Sequence, residues 1–283
     1  MEDYIKAGKI ASKAREFGIK LLKEGAFIKD IVEKIEGKIK DMGGEMAFPV
    51  NISSNEFAAH DTADNNDERI IKKGDVVKVD VGVHINGYIA DTAKTKEVGT
   101  NRYRDLIMAS EKALEQAIKL LKPGIKLWEI GETIEQTIMG YGFNPIRNLS
   151  GHMLERYILH AGISIPNYNN NNKEELKKGQ AIALEPFATD GVGIVVDKGE
   201  PKIFGFEKKS RISRSISMDL KRKYGNLPFA KTWLNKRELF YLHSMIKEGA
   251  IRAYPPLAEK SGGIVSQTEH TIIIDEKPIV TTK

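Results

Sequence analysis

Apolar residues recur every three or four positions in several stretches of this chain, which is the spacing typical of amphipathic helices. Two such stretches open the sequence, and two more follow near its middle, where proline or glycine ends them. The pattern predicts helices through Ile10, Ala14, Phe17 and Leu21, through Ile28, Ile31, Ile35 and Ile39, from Tyr103 to Leu121, and from Leu127 to Met139.

Runs rich in β-branched and aromatic residues predict strands before, between and after these helices. They cover 48–53, 76–92 with one turn, 180–189, 192–196, 202–206 and 263–274. A further helical pattern, with Ile212, Ile216 and Leu220 on one face and continuing to Ala250, lies between the last two strands. Helices and strands are mixed without a regular βαβ order, so the pattern predicts an α+β fold with a helical stretch inserted between strands of one sheet.

The clearest local signal is Asn86-Gly87, because a two-residue hairpin turn needs positive φ at both positions. This turn would pair Gly82 with Asp91 and place Asp80 on the same face, since strand side chains alternate. Two carboxylates on one face repel each other unless a cation or a proton intervenes. Gly82 is expected to leave space for an ion above the sheet. Two solvated aspartates on an exposed face are the alternative.

Composition is that of a soluble globular protein and excludes several kinds of site. The 283 residues are 41% hydrophobic and 29% charged, and no apolar run is long enough to span a bilayer. The acidic N-terminus does not have the pattern of a signal peptide. The chain has no cysteine, which excludes disulfides, thiolate ligands and a cysteine nucleophile and favours a cytoplasmic location. Any metal would be held by imidazole and carboxylate groups.

Positive charge is concentrated in residues 205–255. This segment holds 12 Lys or Arg and 4 Asp or Glu, a local balance of +8, whereas the net charge of the whole chain is +5. The rest of the chain is therefore mildly acidic. A basic surface can dock on nucleic acid, although most charged faces are only solvated.

Several polar residues lie in surroundings that are unusual for them. Glu185 and Glu269 each lie inside a mostly apolar predicted strand, where a charged side chain needs a partner. His152 and His160 lie close to glycines, which let a ligand approach the backbone. Taken singly, each is more often structural than functional. Together with the hairpin aspartates, four carboxylates and a histidine fit a two-metal centre better than separate ion pairs.

Six short motifs occur in order along nearly the whole chain. They are Phe48-Pro49-Val50-Asn51-Ile52-Ser53-Ser54-Asn55 with Ala58-Ala59-His60, the Asp80/Asp91 hairpin, Gly151-His152 with His160-Ala161-Gly162, Glu185-Pro186-Phe187, Tyr254-Pro255-Pro256-Leu257, and Glu269-His270-Thr271. In this order they resemble the type 2 methionine aminopeptidases, which have the pita-bread (creatinase/aminopeptidase) fold. Since no extension precedes the first helix, the archaeal members are expected to be the most similar.

The resemblance implies two structural units. Residues 1–204 and 256–283 would form a discontinuous α+β pita-bread catalytic domain. Residues 205–255 would form a basic, helical, winged-helix-like insertion subdomain, the feature that separates type 2 from type 1 enzymes.

The resemblance also implies two divalent metal ions per chain, which would be cobalt, manganese, iron, zinc or nickel. Asp91 and Glu269 would bridge the two ions. Asp80 would chelate one ion, and His152 with Glu185 would hold the other. His84, which shares a face with Asp80, is not a ligand in the family and is expected either to support the metal ligands from behind or to be structural. His243 and His270 are expected to be structural.

Other residues would act on the substrate. His60 would contact the scissile amide and assist the leaving amine, and His160 would hydrogen-bond the reacting carbonyl. Glu185 would relay a proton as well as bind metal. Phe48 and Tyr254 would line the pocket for the methionine side chain.

The implied reaction is metal-dependent removal of the N-terminal methionine from nascent proteins and peptides, with a preference for a small second residue. A hydroxide activated by the two metals would attack the methionine carbonyl. The partners would be N-termini beginning with Met and, through the basic insertion, the ribosome; no membrane is expected, and a monomer is the default. Two alternatives stay open, a prolidase or X-Pro aminopeptidase of the same fold and a non-catalytic ribosome- or RNA-binding relative.

Overall fold

The computed structural model of the chain describes residues 1–207 and 215–283. Its helices are α1 (Glu2–Leu21), α2 (Ile28–Asp41), α3 (Arg104–Leu120), α4 (Leu127–Gly140), α5 (Ser215–Tyr224) and α6 (Lys236–Lys247), with a short 3-10 helix at Lys231–Trp233. The predicted helices are confirmed, although Ile212 lies outside the described residues. No helix in the described ranges is both long and apolar enough to cross a membrane.

The strands are short except for one hairpin. They are β1 (Glu45–Met46), β2 (Asn51–Ser54), β3 (Phe57–Ala59), β4 (Val76–Ile85), β5 (Tyr88–Glu97), β6 (Asn144–Pro145), β7 (Ser150–Leu154), β8 (Ser164–Pro166), β9 (Ala181–Leu184), β10 (Phe187–Thr189), β11 (Val195–Asp197), β12 (Ile203–Phe206), β13 (Phe229–Ala230), β14 (Ile251–Tyr254), β15 (Leu257–Glu259), β16 (Val265–Gln267), β17 (His270–Ile273) and β18 (Ile279–Val280). The hairpin belongs to a four-stranded sheet in which β4 lies between β1 and β2 and also pairs with β5. The second main sheet has five strands in the order β18-β17-β9-β7-β8.

The β4–β5 hairpin has the predicted turn and register. Asn86 and Gly87 have φ of 51° and 86°, as a two-residue turn with positive φ at both positions requires. Ile85 pairs with Tyr88, and Gly82 pairs with Asp91. The prediction from the sequence is confirmed residue by residue.

Two helix pairs cover the outer faces of the two main sheets. The first pair, α1 and α2, shares a core with Val79 and Val81 of β4. The second pair, α3 and α4, shares a core with Ile182 of β9 and Ile272 of β17. Because strand side chains alternate, the residue between Val79 and Val81 faces away from the helices. The helices therefore leave the inner faces of both sheets to form the site.

Two predicted long strands are each broken where they carry a glutamate. β9 and β10 are separated at Glu185-Pro186, and β16 and β17 at Thr268-Glu269; in both cases the two strands belong to different sheets. The prediction of continuous strands was wrong, because a strand-like residue pattern persists while the backbone passes from one sheet to another. Pro186 has no N–H group for a ladder hydrogen bond and favours the first break.

The helical stretch was expected between the strands predicted at 202–206 and 263–274, as an insertion into one sheet. β12 instead pairs in antiparallel fashion with β14, a strand that was not predicted, with α5, β13 and α6 between them along the chain. β16 and β17 belong to other sheets. β13 pairs with β12 and was not predicted. The helices and this small sheet share a hydrophobic core that includes Phe204, Leu220, Phe229 and Met245.

Candidate active site

One cavity of about 240 Å³ lies against the inner faces of the two main sheets. It gathers residues that are far apart in the sequence and come from both halves of the chain. The site residues proposed from the sequence all line it: Phe48, His60, Asp80, Asp91, His152, His160, Glu185, Tyr254 and Glu269.

The hairpin supplies two of the carboxylates, on the face opposite the helices. Asp80 lies on β4, and Asp91 lies on β5 directly across from Gly82. The expectation of free space above Gly82 was wrong, because a Cβ at this position would lie 2.2 Å from Cε1 of Phe48. The absence of a side chain at Gly82 thus lets the Phe48 ring contact the hairpin and form part of the cavity wall.

The second sheet supplies the histidine and two glutamates. His152 lies on β7, and Glu185 and Glu269 lie at the ends of β9 and β17, which neighbour each other in that sheet. Nε2 of His152 is 3.6 Å from Oδ2 of Asp91 and also 3.6 Å from Oε1 of Glu185. One ligand atom from each of Asp91, His152 and Glu269 lies within 4.8 Å of the others.

The four carboxylates cannot all be ionised at low energetic cost without a cation. Burial raises the pKa of Asp80 to about 7. Burial and then the charge of Asp80 raise the pKa of Asp91, while burial and then the charge of Asp91 raise those of Glu185 and Glu269. The buried Oδ1 atoms of Asp80 and Asp91 have no hydrogen-bond partner among the described residues. A nearby cation would favour the charged forms.

The histidine of the cluster is held in the form that binds metals. Burial, and then the neighbouring His160, lowers the pKa of His152 to about 3. Its imidazole is therefore neutral at pH 7 and keeps a lone pair for a metal. The separations of 3.6 Å exceed hydrogen-bonding distance, yet they suit donors that share an ion at about 2.0–2.2 Å. The donor set fits divalent ions such as manganese, iron, cobalt or zinc.

His60 lies beside this cluster with an unusual backbone conformation. It follows β3 directly and has φ of 61°, a left-handed conformation that costs a non-glycine residue roughly 1–2 kcal/mol. Its ring packs edge-on against that of Tyr254, with centroids 5.8 Å apart. Burial and then the charge of His160 lower the pKa of His60 to about 4, so its ring is neutral at pH 7. Strain of this kind is common at functional sites.

His160 lies next to a proposed metal ligand, and an apolar wall completes the cavity. The centroid of the His160 ring is 4.3 Å from that of His152. The apolar wall is formed by residues that precede β2, follow β7 or belong to the insertion and its base, namely Phe48, Leu159, Ile203, Pro228 and Tyr254. Polar and apolar parts of one cavity are the usual arrangement of a small-molecule or peptide site.

Gln267 was not identified from the sequence. Its Nε2 lies 3.4 Å from Oδ2 of Asp80, 3.4 Å from Oε2 of Glu185 and 3.5 Å from Oε2 of Glu269. The side chain thus donates toward three carboxylates and restrains their orientation. The available signal was a polar residue two positions before Glu269, because such residues share a face of an extended chain.

The other histidines have local partners or are exposed, as expected for structural residues. Nδ1 of His84 accepts a hydrogen bond from the backbone N–H of Gly87 at 3.3 Å. Nδ1 of His270 lies 2.9 Å from Oγ1 of Thr282. His243 is exposed on α6.

Comparison with known proteins agrees with this geometry. Residues 2–276 match metallopeptidase family M24. The methionine aminopeptidase of Thermococcus onnurineus is 48% identical over 286 residues, which cover 98% of this chain and 97% of that relative.

Solved structures show the same fold. A methionine aminopeptidase from Thermotoga maritima has a TM-score of 0.75 at 26% identity, covering 100% of this chain and 96% of that one. Prolidase from Pyrococcus furiosus has a TM-score of 0.66 at 21% identity, covering 100% of this chain and 63% of that one, and this likeness shows the fold alone. The α+β pita-bread fold is therefore confirmed, and the chain belongs to metallopeptidase family M24.

Proposed function

We propose that the chain removes the N-terminal methionine from nascent proteins and peptides in a metal-dependent reaction. One observation carries this proposal: four carboxylates and a neutral imidazole lie together in a cavity that also has an apolar wall. The likeness to methionine aminopeptidases over almost the full length of both chains supports the same activity.

The proposed metal ligands are those that line the polar part of the cavity. Asp91 and Glu269 would bridge two divalent ions, Asp80 would chelate one, and His152 with Glu185 would hold the other. The central place of Asp91 supports this, because it lies close to His152 and Asp80 as well as to Glu269. When bound, such ions polarise a carbonyl group and lower the pKa of water.

The protein's own groups would bind the scissile peptide and move its protons. Neutral His60 would hydrogen-bond the scissile amide and assist the leaving amine, and His160 would hydrogen-bond the carbonyl oxygen. Burial, and then the charge of Asp91, raises the pKa of Glu185. As a carboxyl group at the edge of the metal site, Glu185 would relay the proton of the attacking water to the leaving nitrogen.

The apolar wall is the proposed pocket for the methionine side chain. Phe48 and Tyr254 lie on this wall, and a flexible thioether packs well against aromatic rings. A preference for a small second residue is part of the same proposal.

Paired peptides distinguish this function from that of a prolidase or X-Pro aminopeptidase. We expect the metal-loaded protein to release methionine from Met-Ala-Ser and to leave Ala-Pro-Ser intact, measured by mass spectrometry. Cleavage of Ala-Pro-Ser alone would favour the second function. Cleavage of neither peptide by folded, metal-loaded protein would favour a non-catalytic relative.

The insertion is proposed to be a subdomain at 205–255, set into a catalytic domain at 1–204 and 256–283. Its separate hydrophobic core supports this division. We propose that its basic surface contacts the ribosome. Of the cations expected to make this contact, Arg222 and Lys223 are exposed and Lys221 is half-buried, whereas Lys208, Lys209, Arg211 and Arg214 lie outside the described residues. Lys236 and Arg237 add two further exposed cations.

Ribosome contact through this surface predicts a clear salt dependence. Co-sedimentation with ribosomes should weaken as salt is raised, and should weaken further when Arg222, Lys223, Lys236 and Arg237 are replaced by glutamine. Binding that is unchanged by both treatments would contradict the contact.

We further propose that the chain works as a monomer in the cytoplasm. In support, one chain supplies the complete set of proposed site residues. A chain without cysteine also has no need of an oxidising compartment.

A further inference from the structure

Asp61 directly follows His60, and its buried carboxylate accepts hydrogen bonds from two basic side chains. The side chain of Asp61 is only 2% exposed. Its Oδ2 accepts a hydrogen bond from Nη1 of Arg69 at 2.6 Å, and its Oδ1 accepts one from Nζ of Lys202 at 3.1 Å. Both carboxylate oxygens are therefore fixed by charge-assisted hydrogen bonds, which are the strong kind.

The same two cations also hold the next residue. The carbonyl oxygen of Thr62 accepts hydrogen bonds from Nη2 of Arg69 at 3.0 Å and from Nζ of Lys202 at 2.8 Å. The hydroxyl group of Thr62 donates to the carbonyl of Val50, and the carbonyl of Asp61 accepts from the backbone N–H of Ile52. The two residues after His60 are thus fixed by side-chain and backbone groups alike.

Lys202 connects this loop to the base of the insertion. It immediately precedes β12, and its carbonyl accepts a hydrogen bond from the backbone N–H of Lys231. A second ion pair joins Nζ of Lys231 to Oδ2 of Asp64 at 2.8 Å. β12 pairs with β14, whose last residue, Tyr254, contacts the ring of His60. The backbone and the ring of His60 are therefore both held from the insertion side.

We propose that Lys202 is a positioning residue for His60. Through Asp61 and Thr62 it holds the loop that keeps His60 in its left-handed conformation, with the ring in the cavity. A residue with φ of 61° keeps that conformation only where its surroundings over-determine it. Lys202 itself is neither one of the residues that line the cavity nor one of the proposed metal ligands. This inference rests on the proposed function, in which His60 contacts the scissile amide.

Three variants test the role of Lys202. Lys202→Met removes the charge and keeps the length, and Lys202→Arg keeps both the charge and the donors. Lys198→Met is the matched control. Lys198 lies shortly before Lys202 in the chain, and its ion pair with Glu56 is more exposed than that of Lys202 with Asp61. We expect Lys202→Met to lower kcat by about 10–100-fold, since small misplacements of a reacting group cost that much. Lys202→Arg should recover most of kcat, and Lys198→Met should leave it unchanged.

A double-mutant cycle separates positioning from general destabilisation. If Lys202 acts through His60, then adding Lys202→Met to His60→Asn should lower kcat by less than about twofold. A further loss in the double variant equal to that in the single variant would overturn the proposal. So would a Lys202→Met variant with wild-type kcat.

One readout does not depend on the proposed function. The imidazole NMR signals of His60 should shift in metal-loaded Lys202→Met and stay in place in Lys198→Met, with metal content unchanged in both. Unshifted signals would overturn the positioning role even if the wild type cleaves Met-Ala-Ser. If the signals shift in Lys202→Met but the wild type cleaves no peptide, the positioning role is retained and the proposed function is contradicted instead.

Discussion

Asp91→Ala is expected to abolish metal uptake and peptide turnover together. Asp91 is buried, its Oδ1 atom has no partner among the described residues, and its other oxygen lies 3.6 Å from His152. Since a metal contributes several kcal/mol of transition-state stabilisation and each 1.36 kcal/mol is tenfold in rate, the loss should be on the order of 10³-fold or more. Metal analysis of the purified protein and release of methionine from Met-Ala-Ser measure the two effects.

Glu269→Ala should give the same result, because Glu269 lies in the same group of ligand atoms. Asp275→Ala is a suitable control. It removes a carboxylate that pairs with Lys178 at 2.8 Å, on the segment that follows Glu269, and an ion pair this exposed contributes little to stability. A folded Asp91→Ala protein that binds metal with unchanged stoichiometry would contradict the assignment.

His60→Asn is expected to lower turnover while metal content stays intact. Asparagine tolerates the left-handed conformation of this position, so the substitution removes the imidazole with little change in backbone strain. Loss of a group that assists proton transfer should reduce kcat on the order of 10²–10⁴-fold. Steady-state kinetics on Met-Ala-Ser, with metal analysis of the same samples, measure both quantities.

The matched control for this variant is His243→Asn, since His243 is exposed on α6 and lies away from the cavity. It should retain wild-type kinetics. A His60→Asn protein that loses its metals would show that His60 is a ligand, and one with wild-type turnover would show that it takes no part in the reaction.

Local features of the fold were predictable from the sequence. The hairpin register follows from the two residues of its turn, because their positive φ fixes which strand residues face each other. The helices were predictable because each buries one apolar stripe against a sheet. In these cases a few neighbouring residues decide the structure.

Features that depend on distant residues were not predictable in the same way. The space above Gly82 is taken by Phe48, which is remote in sequence. The breaks at Glu185 and Glu269 depend on how two sheets meet, and the strand-like pattern of side chains continues through them. A sequence pattern shows how apolar residues repeat within a segment, but it does not show which distant segment that segment packs against.

The site residues also divide into those that local sequence predicts and those that depend on distant parts of the chain. The two hairpin aspartates were placed together by strand geometry alone. A histidine was expected beside them from the residues, but the choice of His152 rather than His160 as the ligand came only from the resemblance to a family. Gln267 and Lys202 were not predicted as site residues. Gln267 contacts the carboxylate cluster and Lys202 contacts Asp61, and these contacts form only in the folded chain. Such contacts leave no periodic signal in the sequence.

Metal titration of stripped protein tests the central claim most directly. Chelator-treated protein would be mixed with Met-Ala-Ser, and free methionine would be followed while manganese or cobalt is added stepwise. We predict no release without metal and a rise that reaches its plateau at about two ions per chain, as expected of a two-metal site. Release that is unaffected by stripping, or absent from folded and fully loaded protein, would contradict the account.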